Sequence, residues 1–384
     1  MPAPRWDIFC SVVDNFGDIG ICWRLARQLA GEHGLNVRLW VDDLAAFRRI
    51  NPEIDPDQDV QRSRGVEARR WLTPFPAVTP QEVAAVVLDT FACTPPEAYL
   101  RAMAACEPKP RWVNVEHLSA EDWVAGCHGL PSPQPGLPLT KYFFFPGFSA
   151  GTGGLLRERG LLEARRAFQG DAAAQADFWA GLSLPPADGD LRLTLFAYDC
   201  VHITPLLHHW EHSSRPLRVL VPEGALARRI GARYGAAEAA AGAVLGAGAL
   251  TVHVLPFIEQ DRYDRLLWAC DVNFVRGEDS FVRAQWAGRP LVWQPYRQQE
   301  DAHSDKLNAF LHRYCAGLGA QEGAVLRDLW QAWNREEGMA QHWDGFLAHR
   351  AAYTAHAELW ARQMSALGDL AANLVAFCHQ GKAR

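Results

Sequence analysis

The stretch that decides the fold is WDIFCSVVDNFGDIGICWRLARQLA, residues 6–30. Its first part, residues 6–13, is mostly apolar and predicts a buried β-strand. A helix is predicted to follow from an apolar stripe at helical spacing: Cys22, Leu25, Ala26, Leu29 and Ala30. Gly34 is placed to end this helix as a left-handed cap. A strand, a polar loop and an amphipathic helix in this order predict a parallel sheet covered on both faces.

The same alternation continues along both halves of the chain. In the first half, further strands are predicted at residues 36–41, 83–88, 112–115 and 141–148. In the second half, the predicted strands are residues 191–196, 217–221, 250–254, 272–275 and 290–293. After residue 300 the pattern is helical. We therefore predict an α/β protein with two doubly wound, Rossmann-like domains facing each other across a cleft, an arrangement of the GT-B type.

The segment 169–190 is rich in Ala, Asp, Gly and Pro, and this composition is typical of a linker. We place the domain boundary there, which gives an N-terminal domain of residues 1–180 and a second domain of residues 181–355. Residues 356–384 are expected to form a C-terminal helix that packs back on the N-terminal domain. The Pro-rich segment 131–138 is expected to be a surface loop.

Composition excludes several classes of protein. The chain has 384 residues, enough for two domains, and no segment is apolar over the length that a bilayer span requires. Without a signal-peptide pattern, a cytoplasmic location is expected. The nine cysteines form no CxxC pair, which excludes a zinc ribbon and argues against a disulfide framework. A net charge of −6 without a long Lys/Arg run argues against nucleic-acid binding.

A first candidate site is the loop DNFGDIG, residues 14–20, directly after the first strand. Asp14 and Asp18 flank Gly17 at the start of a helix, on the sheet edge where open α/β folds bind ligands. An Asp in this position also serves as a helix cap, and Asp14 could be a turn residue. Two acids together with the ring of Phe16 suit a cationic or polar acceptor.

A second candidate is RGEDS, residues 276–280, which follows a strand and opens a helix. Gly277 lets the backbone approach a ligand closely, and the free N–H groups of the helix start can hold a diphosphate. The alternative is an ordinary capping sequence with an acidic first turn. The position in the second domain favours nucleotide binding.

Two further segments follow strands of the second domain. In LPFIEQ, residues 255–260, Phe257 could stack on a base and Gln260 could pair with the edge of a pyrimidine. Phe196 and Tyr198 follow the first strand of that domain. For all four side chains, packing in the core or exposure on the surface is the alternative to ligand contact.

Two other patterns suggest functional motifs but match none. No metal site is predicted, because no acidic or cysteine partner stands at an established ligand spacing from His202, His208, His209 and His212. The segment Gly151-Thr152-Gly153-Gly154 lacks the P-loop lysine and the dinucleotide fingerprint. We expect it to shape a loop facing the cleft.

Seven segments, taken in order, resemble the family of elongation factor P arginine rhamnosyltransferases, the EarP family. They are DNFGDIGICWRLARQLA at 14–30, VRLWVDD at 37–43, WVNVEHLSAEDWV at 112–124, FFFPGFSAGTGGLLRE at 143–158, LFAYD at 195–199, LPFIEQDRYDRLLWACD at 255–271 and RGEDSFVRAQWAGRPLVWQPY at 276–296. The resemblance covers nearly the whole chain, although the part after Arg313 carries little signature.

The resemblance implies an inverting, metal-independent glycosyltransferase with the GT-B fold. Its donor would be dTDP-β-L-rhamnose, with no further cofactor. Its acceptor would be an arginine side chain of elongation factor P, which the modification activates for translation of polyproline stretches. The N-terminal domain would bind the acceptor protein and the second domain the sugar nucleotide.

Carried over by position, the resemblance also implies roles for individual residues. Asp18 corresponds to the general base, with Asp14 as its companion, and Glu278 to a second essential acid beside the diphosphate. The substrate-binding positions are Asn15, Phe16, Gly17, Phe196, Tyr198, Leu255, Phe257, Gln260, Arg276, Gly277, Asp279 and Ser280.

The acceptor chemistry explains why acids are needed. A guanidinium is a poor nucleophile, since its lone pairs are delocalised and its pKa exceeds about 12. Asp18 and Asp14 could orient one nitrogen and stabilise charge as its proton leaves, while the helix start at 278–280 stabilises the departing diphosphate. Two alternatives stay open: a transferase of the same fold acting on a small molecule or a lipopolysaccharide core, and a non-catalytic protein that binds elongation factor P or sequesters a nucleotide.

Overall fold

The computed structural model describes residues 4–14, 16–185, 189–297 and 302–379 and divides into two compact units. Unit 1 combines Met1–Arg159 with Met364–Arg384, and unit 2 is the continuous segment Gly160–Gln363. Each unit has one mostly parallel β-sheet with helices between its strands. The prediction of two Rossmann-like α/β domains is therefore confirmed. No helix in the described ranges is long and apolar enough to cross a membrane.

Unit 1 contains eight described strands. They are β1 (Arg5–Cys10), β2 (Asn36–Val41), β3 (Val60–Ser63), β4 (Val66–Arg70), β5 (Val86–Thr90), β6 (Arg111–Val115), β7 (Pro131–Pro133) and β8 (Thr140–Phe144). Its first four helices are α1 (Gly17–His33), α2 (Leu44–Ile50), α3 (Glu97–Ala105) and α4 (Trp123–Cys127).

The sheet of unit 1 has the strand order β3-β4-β2-β1-β5-β6-β8-β7, and β1 pairs in parallel with both β2 and β5. The chain runs outward from β1 through β2 to β4 and then returns to place β5 on the other side of β1. The strand order therefore reverses between β1 and β5. A switch point of this kind opens the crevice in which open α/β sheets bind ligands.

The core of unit 1 holds aromatic side chains and a buried acid. Phe9 and Trp40 stack with their ring centroids 5.8 Å apart, and Tyr99 from α3 meets Phe9 edge-on at 4.9 Å. The fully buried Asp7 accepts hydrogen bonds from Arg38 at 2.6 Å and 2.5 Å, from Trp40 Nε1 at 3.1 Å and from the Tyr99 hydroxyl at 2.5 Å. Because its oxygens are hydrogen-bonded on all sides, this carboxylate is a satisfied structural group.

Unit 2 repeats the architecture with six described strands. They are β9 (Leu191–Leu195), β10 (Leu217–Pro222), β11 (Val244–Leu245), β12 (Leu250–Leu255), β13 (Val272–Arg276) and β14 (Leu291–Gln294). Its helices are α5 (Leu161–Gly170), α6 (Ala172–Ala180), α7 (Thr204–Glu211), α8 (Ala225–Arg233), α9 (Gln260–Ala269), α10 (Asp279–Trp286), α11 (Ala302–Cys315), α12 (Ala320–Arg335), α13 (Met339–Ala348) and α14 (Arg350–Ser365), whose end passes into unit 1. A last helix, α15 (Leu370–His379), belongs to unit 1.

The sheet of unit 2 has the order β11-β12-β10-β9-β13-β14. The first strand, β9, pairs in parallel with β10 on one side and with β13 on the other. The switch point of unit 2 therefore lies between β9 and β13. Phe196, directly after β9, and Gly277, directly after β13, both come to this edge.

The first half of the predicted linker 169–190 is helical and belongs to unit 2, and the boundary between the units lies at 159/160 instead of 180/181. Alanine favours helix, and Asp171 caps α6 by accepting hydrogen bonds from the N–H groups of Ala173 and Ala174. In α5, the Gln169 amide donates to the carbonyl oxygens of Trp268 and Ala287, both at 3.1 Å. These contacts assign α5 and α6 to unit 2.

The C-terminal segment changes unit at Met364, so residues 356–363 stay with unit 2. Beyond that point α15 packs on unit 1, where Leu370 N–H donates to Leu155 O at 3.0 Å and Asn373 Nδ2 to Gly153 O at 3.0 Å. The region 131–138 was predicted to be only a loop, but β7 within it pairs antiparallel with β8 at the sheet edge.

Candidate functional site

The loop between β1 and α1 lies at the switch point of unit 1. Ser11 Oγ donates to Asp42 Oδ2 at 2.6 Å, and Val12 N–H donates to Asp42 Oδ1 at 2.9 Å. Asp42 directly follows β2, so a neighbouring strand anchors the start of the loop. The rest of the loop is organised by the helix that it precedes.

Asp18 lies in the first turn of α1 and is 6% exposed. Its Oδ2 accepts hydrogen bonds from the backbone N–H groups of Val13 and Asp14, both at 2.8 Å. Among the residues that the structure describes, none donates a hydrogen bond to its Oδ1. One oxygen of Asp18 thus holds the loop in place, and the other lies outside the loop's hydrogen-bond network.

Asp14 is brought to the same helix start. Gly17 N–H donates to Asp14 O at 2.7 Å, and a Cβ on Gly17 would lie 2.9 Å from Asp14 Oδ2. Glycine therefore permits the close approach of the carboxylate, which a side chain at this position would displace. Phe16 is the residue immediately before α1, and Asn15 lies outside the described residues. The structure brings the two predicted acids together, while their catalytic roles stay predictions.

A further acid, Asp89, is fully buried in β5 behind this edge. It accepts a hydrogen bond from Trp112 Nε1 at 2.7 Å, and Lys141 Nζ lies 3.4 Å from its Oδ2. Burial raises the pKa of Asp89 to about 7, against the opposing effects of the Lys141 charge and the Trp112 hydrogen bond. Burial thus favours the neutral form of Asp89, a structural acid.

In unit 2, a cation lies at the switch point between β9 and β13. Arg276 Cζ is 4.6 Å from the ring centroids of both Phe196 and Tyr198. The Arg276 Nη1 donates to Ala197 O at 3.4 Å, and Tyr198 N–H donates to Gln294 Oε1 at 2.9 Å. Three of the predicted substrate-binding residues therefore form one contact group, in which the two rings contact the guanidinium.

The segment after β13 makes a tight turn into α10. Gly277 has a φ of +59°, its N–H donates to Gln294 O at 2.9 Å, and its carbonyl accepts from Trp293 Nε1 at 2.7 Å. Ser280 Oγ donates to Arg276 O at 2.5 Å, so its hydroxyl closes the turn. Glu278 occupies the N-cap, and the backbone N–H groups of the first turn of α10 have no intrahelical acceptor. Such a helix start suits an anion.

Gln260 was predicted to pair with the edge of a pyrimidine, but in the structure its side chain is buried against another protein side chain. Gln260 is 6% exposed, and its Nε2 donates to Asp279 Oδ2 at 3.2 Å. Asp279 also pairs with the buried Arg283, whose Nε lies 3.0 Å from the same oxygen. Arg283 in turn donates to Asp264 Oδ2 at 2.8 Å. Gln260 and Asp279 thus join α9 to α10, and any ligand contact of theirs would add to this network.

The remaining predicted positions lie at and after the end of β12. Leu255 is 3% exposed, and its carbonyl accepts from Glu223 N–H at 2.8 Å. Phe257 is half-buried in the loop that leads into α9. Since β10 separates β12 from β9, these two residues belong to a neighbouring part of the sheet edge.

Sequence reasoning missed two aromatic partners and one amide in unit 2. Tyr263 lies 5.7 Å from the Phe196 ring, Tyr296 lies 5.8 Å from the Tyr198 ring, and Gln294 holds Tyr198 in place. Gln294 and Tyr296 could have been found, because they end and follow β14, the strand next to β13. The sequence gives no comparable signal for Tyr263.

The histidine group, for which no metal site was predicted, has an acidic neighbour in the structure. His208 and Glu211 of α7 and His212, directly after it, place one possible metal ligand each within 4.8 Å of one another. The Glu211 carboxylate already pairs with Arg233 at 2.7 Å and accepts from the Tyr234 hydroxyl at 2.6 Å. A neighbouring guanidinium disfavours a metal cation at this carboxylate.

The glycine segment 151–154 serves packing. A Cβ on Gly153 would overlap the Phe144 ring and lie 3.1 Å from Leu370 Cδ1. Glycine there permits the close approach of β8 and α15 to this loop.

Comparison with solved structures places the fold among glycosyltransferases. The calicheamicin glycosyltransferase is similar over 100% of both chains, with a TM-score of 0.51 and 12% identity, which speaks for the fold alone. A structure on EarP-mediated arginine glycosylation of translation elongation factor EF-P is much more similar. It has a TM-score of 0.71 and 37% identity over 99% of this chain and 100% of that one. The GT-B class predicted for the chain is thereby supported.

The family follows from the sequence comparisons. Residues 6–379 match the model of the family described as elongation factor P rhamnosyltransferase EarP. The protein-arginine rhamnosyltransferase of Pseudomonas aeruginosa is 50% identical over 97% of this chain and 98% of its own length. That of Neisseria meningitidis serogroup B is 35% identical over 98% and 97%. The chain belongs to the EarP family of rhamnosyltransferases.

Proposed function

We propose that this protein transfers L-rhamnose from dTDP-β-L-rhamnose to an arginine side chain of elongation factor P. The relatives are named protein-arginine rhamnosyltransferases, and the similar solved structure concerns arginine glycosylation of elongation factor EF-P. The proposed transfer inverts the anomeric carbon and requires neither a metal nor a further cofactor. Because the acceptor is a translation factor, the proposed place of action is the cytoplasm.

The observation that carries the proposal is the chemistry of the unit 2 switch point. Arg276, which contacts the rings of Phe196 and Tyr198, and the first turn of α10 place a cation and the positive end of a helix at one sheet edge. A nucleoside diphosphate combines negative oxygens with an aromatic base. In the proposal the diphosphate binds Arg276 and the helix start, and Phe196, Tyr198, Phe257 and Gln260 surround the thymidine.

Unit 1 supplies the complementary chemistry for the acceptor. Asp18 presents a carboxylate whose orientation is fixed by two backbone donors, and Asp14 lies beside it. A planar guanidinium donates up to five hydrogen bonds and pairs well with carboxylates. In the proposal, Asp14 and Asp18 bind the acceptor arginine.

The proposed reaction is a single displacement. One guanidinium nitrogen attacks the anomeric carbon as the bond from that carbon to the dTDP oxygen breaks. The proton of the attacking nitrogen passes to Asp18, and the electron pair of the broken bond leaves with dTDP. The Arg276 guanidinium and the α10 helix start stabilise the growing diphosphate charge. Glu278, at the N-cap of α10, is proposed to orient the rhamnose or the acceptor.

The test is an intact-mass assay with purified protein, dTDP-β-L-rhamnose, unmodified elongation factor P and EDTA. We expect the acceptor to gain one deoxyhexose unit. Parallel reactions with dTDP-glucose, and with an acceptor whose target arginine is replaced by lysine, test the donor and the reacting group. An acceptor of unchanged mass, in the presence of measurable dTDP binding, would refute the proposed acceptor.

A further inference from the structure

The segment NVEHL, residues 114–118, has no role in the function proposed above, although it leaves the sheet at the ligand edge of unit 1. It begins within β6, whose neighbour β5 borders the switch point. Val115, the last residue of β6, is in register with Thr90, the last residue of β5. Neighbouring strands lie about 4.8 Å apart, so the residues after β6 reach the same crevice as those after β5.

Two rings cover the end of β5. The Phe91 and His117 rings are stacked, with centroids 4.6 Å apart and an interplanar angle of 19°. Phe91 N–H donates to Val115 O at 2.9 Å, which continues the ladder between the two strands. Phe91 and Ala92 have φ values of +55° and +59°, in the left-handed region that non-glycine residues rarely adopt. This strained turn fixes the direction of the Phe91 side chain.

The same segment carries a carboxylate, Glu116, next to His117 in the chain. Glu116 N–H donates to Phe144 O at 3.0 Å, and its Oε1 accepts a hydrogen bond from Asn114 Nδ2. The Asn114 Oδ1 accepts in turn from Ala92 N–H at 3.2 Å. A single amide therefore couples the position of Glu116 to the strained turn that carries Phe91.

The same edge is tied to the helix that carries Asp18. Thr90 Oγ1 donates to Phe9 O at 2.8 Å and accepts from Cys22 Sγ at 3.3 Å. Cys22 stands one turn after Asp18 in α1. The end of β5 and the start of α1 are thus connected through buried contacts on one sheet edge.

We propose that Glu116 and the Phe91–His117 ring pair are a further part of the site for the acceptor arginine, opposite Asp14 and Asp18. This inference rests on the proposed function. A guanidinium plane stacks on an aromatic face, while its unreactive nitrogens donate to carboxylates. Glu116 binds those nitrogens, and the rings bind the plane, so that the remaining nitrogen is directed to Asp18. The arrangement selects a planar guanidinium over the compact ammonium of lysine.

The experiment compares Glu116→Gln with Glu121→Gln as a matched control. Glu121 belongs to the same segment, but its carboxylate accepts from Ser119 Oγ at 2.9 Å. For Glu116→Gln, we expect kcat/KM for elongation factor P to fall by roughly 10- to 100-fold, the loss typical of a hydrogen bond to a charged group. The KM for dTDP-β-L-rhamnose should not change. The control should behave as wild type.

Two further measurements test whether Glu116 and Phe91 bind the acceptor guanidinium or only support the fold. Methylguanidinium should inhibit modification competitively with elongation factor P, and its inhibition constant should rise in Glu116→Gln but not in Glu121→Gln. Phe91→Leu, which keeps an apolar side chain, should raise the KM for the acceptor roughly threefold to tenfold. Thermal melting tests that each variant is folded.

The outcomes distinguish this inference from the function on which it rests. No transfer by the wild type to elongation factor P would count against the proposed function. Full transfer by Glu116→Gln with an unchanged methylguanidinium constant would overturn the inference alone. An equal loss of donor and acceptor binding in a folded Glu116→Gln protein would also overturn it, because the residue would then act through the fold.

Discussion

The switch point of unit 1 lies between β1 and β5, and that of unit 2 lies between β9 and β13. In both units a central strand ends at this edge, and a glycine lies where the next helix begins: Gly17 is the first residue of α1, and Gly277 lies two residues before α10. The chemistry differs. Unit 1 places Asp14 and Asp18 at its edge, whereas unit 2 places Arg276 between two aromatic rings.

The difference shows what the fold determines and what individual residues determine. Topology fixes where a crevice opens, since both crevices lie where the strand order reverses. Side chains fix the charge that each crevice accepts: acids suit a cation, and an arginine beside the start of a helix suits an anion. A transferase that joins an anionic sugar nucleotide to a cationic arginine needs both kinds of site.

The largest effect is expected when the carboxylate of Asp18 in unit 1 is removed. Asp18→Asn should lower kcat by roughly 1,000-fold or more, because the amide cannot accept the proton of the attacking nitrogen. An Asn oxygen can still accept from Val13 and Asp14, so the loop should persist. The binding constant of dTDP, measured by calorimetry, should match the wild type. Retained turnover would remove Asp18 from the role of base.

The second largest effect is expected when the guanidinium of Arg276 in unit 2 is removed. Arg276→Gln should weaken dTDP binding by roughly 10- to 100-fold, because a charge-assisted contact to the diphosphate is lost. The matched control is Arg229→Gln, which removes an arginine paired with Asp199 at 2.5 Å near the surface of the same unit. Calorimetry should find donor binding unchanged in that control. If Arg276→Gln and Arg229→Gln bound dTDP equally well, Arg276 would not bind the diphosphate. The proposed contrast between an acidic edge in unit 1 and a cationic edge in unit 2 would then fail.

The third prediction concerns unit 1 and the dependence of its free energy of unfolding on pH. Asp89 has its pKa raised from 3.8 to about 7, so the folded state holds its proton more tightly than the unfolded state. The contribution of Asp89 to the free energy of unfolding is therefore greatest below about pH 4 and falls as the pH rises to 7. The total change is at most about 4 kcal/mol.

Asp89→Asn should abolish this pH-dependent term, so the melting temperature of the variant should rise relative to the wild type between pH 5 and pH 8. Asp57→Asn, in an exposed part of unit 1, serves as the control. Parallel melting profiles for wild type and Asp89→Asn would show that the Lys141 and Trp112 partners cancel the effect of burial on the pKa of Asp89.

The smallest effect concerns the flank of the unit 2 site. Phe257→Ala should weaken dTDP binding by roughly 3- to 30-fold if the ring stacks on the base. Gln260→Ala should weaken it as well, and it should also lower the melting temperature, because the contact with Asp279 between α9 and α10 is lost. An unchanged donor binding constant for Phe257→Ala would contradict its place in the thymine pocket.

The sequence predicted the strands that lie at the centre of each sheet, because a buried parallel strand is a short continuous apolar run. β2 was predicted at its observed bounds, and β9 and β13 to within one residue at each end. The edge strand β3 and its neighbour β4 were missed, since their polar and charged residues give no continuous apolar run. The 169–190 segment was wrongly interpreted because its burial comes from long-range contacts such as that of Gln169 with Trp268.

The candidate site could be predicted in position but only partly in contacts. DNFGD and RGEDS were found because each follows a strand and opens a helix. The stacking of Arg276 on Phe196 and Tyr198 could not be seen, since about 80 residues separate β9 from β13 in the chain. The burial of Gln260 against Asp279 likewise depends on two helices meeting in space.

Unit 1 is assembled from both ends of the chain. This determines the order in which the two units become complete during synthesis on the ribosome. Unit 2 is continuous and has all its residues once Gln363 has been made, whereas unit 1 waits for α15 to reach Gly153 and Leu155. The segment synthesised first is therefore completed last. A stop codon just before Met364 would leave unit 2 whole and deprive unit 1 of its final helix. Under the proposed function, such a fragment should bind dTDP without modifying a protein.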